Sequence, residues 1–181
     1  MKGSEAVKSK SIPEYWAIKP GFEEEIKKII NERPEPEISL DYEIAENDYV
    51  KTGKASSDVK FFLKKLGVNP EVLRRVAVAS YEAEINVTAH SKGGKVTANI
   101  YSDYIIMMFE DYGPGIADIE QAMQPGFSTA NELAREMGFG AGLGLPNIKK
   151  NCDGMYLSSE PGGSTTLIFF IYYEEKSYAA K

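Results

Sequence analysis

GFGAGLGLP, residues 138–146, sets glycines at positions 138, 140, 142 and 144 and ends in Leu-Pro. Glycine at such spacing lets a backbone approach a ligand closely, often a phosphate. The dinucleotide fingerprint G-x-G-x-x-G fails in every register, because it needs glycine where Leu143, Leu145 or Asn147 stands. The preceding STANELAREM is too polar for the buried strand that motif requires. The Walker A pattern fails as well, since Gly53-Lys54 and Gly94-Lys95 are followed by Ala55 and Val96 in place of Ser or Thr. What remains is a glycine loop running into a helix that starts near Pro146, whose free N–H groups and dipole favour an anion. Taken alone, a plain glycine-rich turn competes with that reading.

Two stretches upstream narrow the choice. In EDYGPGI (110–116), an apolar strand ends in an acid followed by Gly-Pro-Gly. The carboxylate of Asp111 can accept from an exocyclic amine such as adenine offers, and Gly115 lets a base approach the backbone. By itself this is also a common turn after a strand. In YEAEINVTAH (81–90), Glu82 and Asn86 stand four apart and project from one helical face. A carboxylate can deprotonate or orient a nucleophile, and an amide oxygen can ligate Mg²⁺ beside phosphates. An isolated Glu/Asn pair would read as a solvated face.

Together the three run in the order helix E-x-x-x-N, strand-end D-x-G-x-G, then G-x-G-x-G before a helix. This resembles the N, G1 and G2 boxes of the GHKL (Bergerat-fold) ATP-binding superfamily of gyrase, Hsp90, histidine kinases and MutL. Within it, GPGIADIEQAM, QPGFSTA, GLGLPNIKK and SSEPGGSTTL look most like the small serine kinases of bacterial stress and sporulation signalling, the anti-sigma-factor kinases and the stressosome switch kinases. The resemblance covers about residues 38–173. It implies Glu82 as catalytic base and Asn86 as Mg²⁺ ligand. It further implies Asp111, Gly113 and Gly115 as the adenine pocket supported by Thr165, and Gly140, Gly142, Leu143, Gly144 and Leu145 as the phosphate loop. Residues 116–139 would form a mobile lid, with Arg135 contacting the γ-phosphate. Three departures stand out: Gly163-Ser164-Thr165 replaces an adjacent Gly-Thr, the lid is a few residues longer, and the first 35 residues have no counterpart in the minimal kinases.

The remaining sequence fits one α+β domain, a two-layer sandwich of mixed or antiparallel sheet with helices on one face, as in histidine-kinase-like ATPases. Residues 1–20 show no periodicity. Residues 21–33 place Phe22, Ile26, Ile29 and Ile30 on one face of a short amphipathic helix, and the PEPE stretch 34–37 breaks it. We therefore divide the chain into an N-terminal extension (1–36), an ATP-binding domain (37–175) and a C-terminal tail (176–181). ISLDYEI alternates as a half-buried strand and, coming first in the domain, is placed at a sheet edge suited to homodimer pairing. SSDVKFFLKKLG reads as a helix capped by Ser56 or Ser57 and ended by Gly67, and Asn69-Pro70 opens a second that fades near His90. His90, the sole histidine, is assigned a local helix-end role.

The chain has 181 residues, 43% hydrophobic and 27% charged, and a net charge of −6. Such an acid balance argues against a nucleic-acid or anionic-membrane binder. A single cysteine, Cys152, excludes an intramolecular disulfide, and MKGSEAVKSK lacks the apolar core of a signal peptide, so a cytoplasmic protein is expected. The resemblance then implies a regulatory serine/threonine kinase that uses ATP (or ADP) and Mg²⁺ on a protein partner, a STAS-type antagonist or a sigma factor. The same motifs would serve a non-catalytic nucleotide-dependent docking module, or a simple ATPase.

Overall fold

The computed structural model describes residues 11–174, so the first ten residues of the N-terminal extension and the tail 176–181 lie outside it. The elements run β1 (Glu14–Ile18), α1 (Glu23–Glu32), β2 (Ile38–Ile44), α2 (Lys54–Lys65), α3 (Pro70–His90), β3 (Gly94–Ile100), β4 (Tyr104–Asp111), α4 (Ile119–Ala122), α5 (Glu132–Glu136), α6 (Gly144–Asn151), β5 (Gly154–Ser159) and β6 (Thr165–Tyr172). The strands form one open sheet in the order β1-β5-β6-β4-β3-β2, and every pairing is antiparallel. The α+β sandwich expected from the sequence is the fold observed.

Alternation decides which face each strand buries. Val96, Ala98 and Ile100 of β3, Ile105, Met107 and Phe109 of β4, and Leu167, Phe169 and Ile171 of β6 point to one side. There they meet Val59 and Leu63 of α2, Val72, Val76 and Ala83 of α3, and Ile148 of α6. Burial at this scale, about 25 cal/mol per Å² of apolar surface, is what holds the layers together. A smaller cluster sits on the other face, where Phe22, just before α1, and Ile26 of α1 cover Phe170 and Tyr172. Ile29 packs at its margin, while Ile30 is exposed.

Local signals explain some element ends and not others. Asn69 caps α3, its Oδ1 accepting from the Val72 N–H at 3.0 Å, with Pro70 in the first turn. The expected serine cap of α2 is corrected: the helix starts at Lys54, so Ser56 and Ser57 lie inside it. Its N-terminus is instead satisfied from α3, where Glu84 accepts from the Ala55 N–H at 2.9 Å and the Ser56 N–H at 3.1 Å. A buried carboxylate on a neighbouring helix, aimed at two orphan donors, takes over the work of a local hydroxyl.

Residues 14–18, where the sequence shows no periodicity, form edge strand β1 against β5, with Trp16 opposite Tyr156. The chain leaves that strand at Lys19, whose Nζ is 3.2 Å from Asp153. Asp153 also receives the Arg75 guanidinium of α3 and, at 2.9 Å, the Tyr172 N–H of β6. This buried carboxylate ties four elements at the end of α6. Among the described residues no helix is long and apolar enough to cross a membrane.

Candidate functional site

A cavity of about 590 Å³ opens between α3, the end of β4, the start of α6 and the segment 114–129. Its volume lies in the range of small-molecule sites. Glu82, Asn86, Asp111, Gly115, Gly140, Gly142, Leu143, Gly144, Leu145 and Thr165, named from the sequence, all line it. Two others do not. Gly113 sits behind Asp111 and donates its N–H to it, and Arg135 is exposed on α5, outside the wall.

At one end, Asp111 is fixed from two sides. Its Oδ1 accepts from the Gly113 N–H and the Thr165 N–H, each at 2.9 Å. That leaves Oδ2 for a ligand amine. Thr165 Oγ1 pairs with Ser159 Oγ at 2.8 Å, and Ser159 in turn accepts from the Ile116 N–H at 2.7 Å. Gly115 has φ +76°, and a Cβ there would collide with the Glu160 carbonyl, so this turn requires glycine. Phe109, Leu157 and Leu167 supply an apolar floor beside these polar groups. A planar base with an exocyclic amine suits that surface.

At the other end, Glu82 and Asn86 lie one turn apart on α3 and face the start of α6. Asn147 of α6 donates its side-chain N–H to Glu82 Oε1 at 2.7 Å. Asn86 lies directly beneath Gly144, where a Cβ would come within 2.9 Å of its Oδ1. Helix α6 begins at Gly144, two residues before the sequence suggests, so the backbone N–H groups of Gly144 and Leu145 belong to its unpaired first turn. An anion placed there meets the positive end of the dipole with an amide oxygen beside it.

Among the described residues no group of three or more His, Cys, Asp or Glu side chains could hold a metal ion. A single amide oxygen next to phosphates nevertheless suits Mg²⁺, which keeps several waters and takes few protein ligands.

The segment expected to be one mobile lid divides in two. Its first part carries α4, capped by Asp118 on the Gln121 N–H at 2.9 Å, and sends Ile119 and Met123 into the main core. The second part carries α5, capped by Asn131, and makes a separate small cluster of Ala130 and Ala134 with Ala89, flanked by Tyr49 and Phe139. Those two rings stack at 5.5 Å. His90 ends α3, as expected, but it also lines the cavity and meets Thr129 Oγ1 at 3.3 Å through Nδ1. Burial pushes its pKa down and keeps the ring neutral. Burial also raises the Glu84 carboxyl, partly offset by its hydrogen bonds to the start of α2.

Sequence reasoning missed Asn147 and Ser159, which hold Glu82 and Thr165. Both lie in motifs the resemblance marked, GLGLPNIKK and SSEPGGSTTL, yet neither residue type carries a chemical signal until its partner is known.

The family model of histidine kinase-, DNA gyrase B- and HSP90-like ATPases matches residues 71–175. The chain belongs to that family. It is 31% identical over 108 residues to the serine/threonine-protein kinase RsbT of Bacillus subtilis, covering 58% of this chain and 75% of that protein. It is 32% identical over 119 residues to an anti-sigma F factor of Clostridium kluyveri, covering 63% and 80%. The SiaB-SiaC complex from Pseudomonas aeruginosa superposes with a TM-score of 0.44 at 11% identity, over 81% of this chain and 96% of that one. The matched region contains Glu82, Asn86, Asp111, the glycine loop and Thr165, and an ATPase domain of this kind implies nucleotide binding.

Proposed function

We propose that the protein is an ATP-dependent serine/threonine protein kinase of the anti-sigma-factor or switch-kinase type, acting on a small partner protein. The observation that carries this reading is Glu82: its carboxylate lines the cavity, is held at one oxygen by Asn147, and keeps Oε2 to face an acceptor hydroxyl. Asp111, through Oδ2, would hold the adenine amine, and the first turn of α6 with the glycine loop would hold the phosphates. Asn86 Oδ1 would help hold Mg²⁺, which when bound would supply charge neutralisation of the phosphates.

Glu82 takes the proton of the acceptor hydroxyl as its oxygen bonds to the γ-phosphorus. The bond from that phosphorus to the β,γ-bridging oxygen breaks, and ADP leaves. Positioning and charge stabilisation supply most of such a rate enhancement.

The partner class proposed is a STAS-type antagonist or a sigma factor, in the cytoplasm, where the lone buried Cys152 stays reduced. The outer side of β2, at the sheet edge, is where a second copy of the chain would add. Radiolabelled transfer from ATP to a co-encoded STAS-type partner tests the reading. Transfer that disappears with EDTA supports it, whereas ATP binding without transfer to any such partner overturns it. A second reading, nucleotide-controlled docking without chemistry, draws on the separate anchoring of the lid around Ala130 and Ala134.

A further inference from the structure

A second depression of about 350 Å³ lies between α2 and α3, with Ser56, Ser57, Lys60, Val78, Tyr81 and Glu82 among its walls. A shallow gap between two helices is ordinary, but two features set this one apart. Tyr81 and Glu82 line the first cavity as well, so the two spaces share these two residues as a common wall. Tyr81 is seated against Gly53, where a Cβ would come within 2.9 Å of its ring, which fixes that wall to the start of α2.

The second feature is charge. In a chain of net charge −6, α2 carries four lysines against one aspartate. Lys54 is neutralised by Asp58 at 2.7 Å. Lys60 and Lys64, exposed and one turn apart, enter no ion pair among the described residues. Next to them Phe61 is 59% exposed with the Lys65 ammonium 4.5 Å from its ring centre, so the helix presents aromatic and basic surface together. Basic charge beside apolar contact selects an acidic partner and speeds its encounter.

We propose that this groove is the docking site of the phosphoryl acceptor: an extended acidic segment of the partner, bearing the serine or threonine, that reaches Glu82 from the α2 side. The inference rests on the kinase reading above. It gives the acceptor its own route to Glu82, while the α6 side of that residue is taken by Asn147 and the phosphate loop.

Two synthetic peptides of equal length, each with one serine, test it: one flanked by Asp and Glu, the other by Lys. Binding to the full-length protein is read by fluorescence anisotropy with a non-hydrolysable ATP analogue and Mg²⁺, and transfer is read with labelled ATP. The acidic peptide is expected to bind about tenfold tighter, a preference that shrinks with salt. Lys60→Glu combined with Lys64→Glu should abolish that preference while ATP affinity stays unchanged. Ser57→Trp, at an exposed position, should block the groove without changing its charge. Equal binding of the two peptides, or a preference that survives charge reversal, overturns the docking site. Charge-dependent binding without transfer keeps the docking site and removes the kinase reading. Equal phosphorylation of both peptides does the opposite.

Discussion

Asp111 is held by two backbone N–H groups at 2.9 Å each, whereas Thr129, across the cavity, is tied to α3 by one 3.3 Å hydrogen bond to His90. The difference extends to everything around them. The floor under Asp111 is continuous with the main core through Phe109, Leu157 and Leu167. The far half of the lid rests on a separate cluster of alanines and on the Tyr49–Phe139 stack. Regions with few buried apolar contacts open at lower free-energy cost than the core does. The Asp111 floor is therefore the firmer wall of the cavity, and the far half of the lid is the part that opens more readily.

The largest expected effect tests whether chemistry sits on the rigid side. Glu82→Ala should lower phosphoryl transfer about 10²- to 10⁴-fold, the usual contribution of a positioned general base, with ATP affinity nearly unchanged. If partner regulation persists in that variant, the docking-module reading takes its place. Asp111→Asn comes next. It puts an amide N–H₂ where Oδ2 would accept, costing about 1.5–3 kcal/mol, or roughly 10- to 150-fold in ATP affinity by titration calorimetry. An unchanged affinity would mean the base binds elsewhere.

The division between floor and lid also marks what could be read from sequence. The floor was legible because its chemistry is local: Glu82 and Asn86 share a helical face, and Asp111 and Gly115 share a strand end. Alternation likewise exposed β2, where ISLDYEI is the strand observed. Contacts formed only in three dimensions were not legible. Edge strand β1 is five residues long and takes its order from β5, more than a hundred positions away. The Glu84 cap on α2 joins two helices, and nothing near Ser56 announces it. The lid's division follows from Ile119 and Met123 reaching the main core, which the polar, glycine-bearing sequence around them conceals. Arg135 was assigned to the γ-phosphate by resemblance, and its exposed position on α5 leaves it outside the cavity wall.

A smaller effect is expected where the lid joins the phosphate loop. Gly142 has φ +73°, its carbonyl accepts from the Gly126 N–H at 2.9 Å, and a Cβ there would lie 2.6 Å from the Phe127 nitrogen. Gly142→Ala should detach that junction, at about 1 kcal/mol for the left-handed conformation alone, or about fivefold in ATP affinity. The melting temperature should stay close to wild type, since the main core is untouched. A large fall in melting temperature would show that lid and floor are one cooperative unit.

The smallest effect is a pH dependence of the lid itself. Burial lowers the His90 pKa from its ordinary 6.5, so the closed state binds a proton less readily than an opened one. Its contribution to closure is therefore complete above about pH 6.5 and is lost as the pH falls below that value. Trypsin cleavage after Arg135, on the lid helix, reads the opening directly. Between about pH 7.5 and 5.5 the nucleotide-free protein should become more susceptible relative to His90→Gln, which keeps a polar partner for Thr129 but cannot titrate. Parallel profiles for the two proteins would mean that His90 does not latch the lid, and would leave the alanine cluster and the Tyr49–Phe139 stack as its anchors.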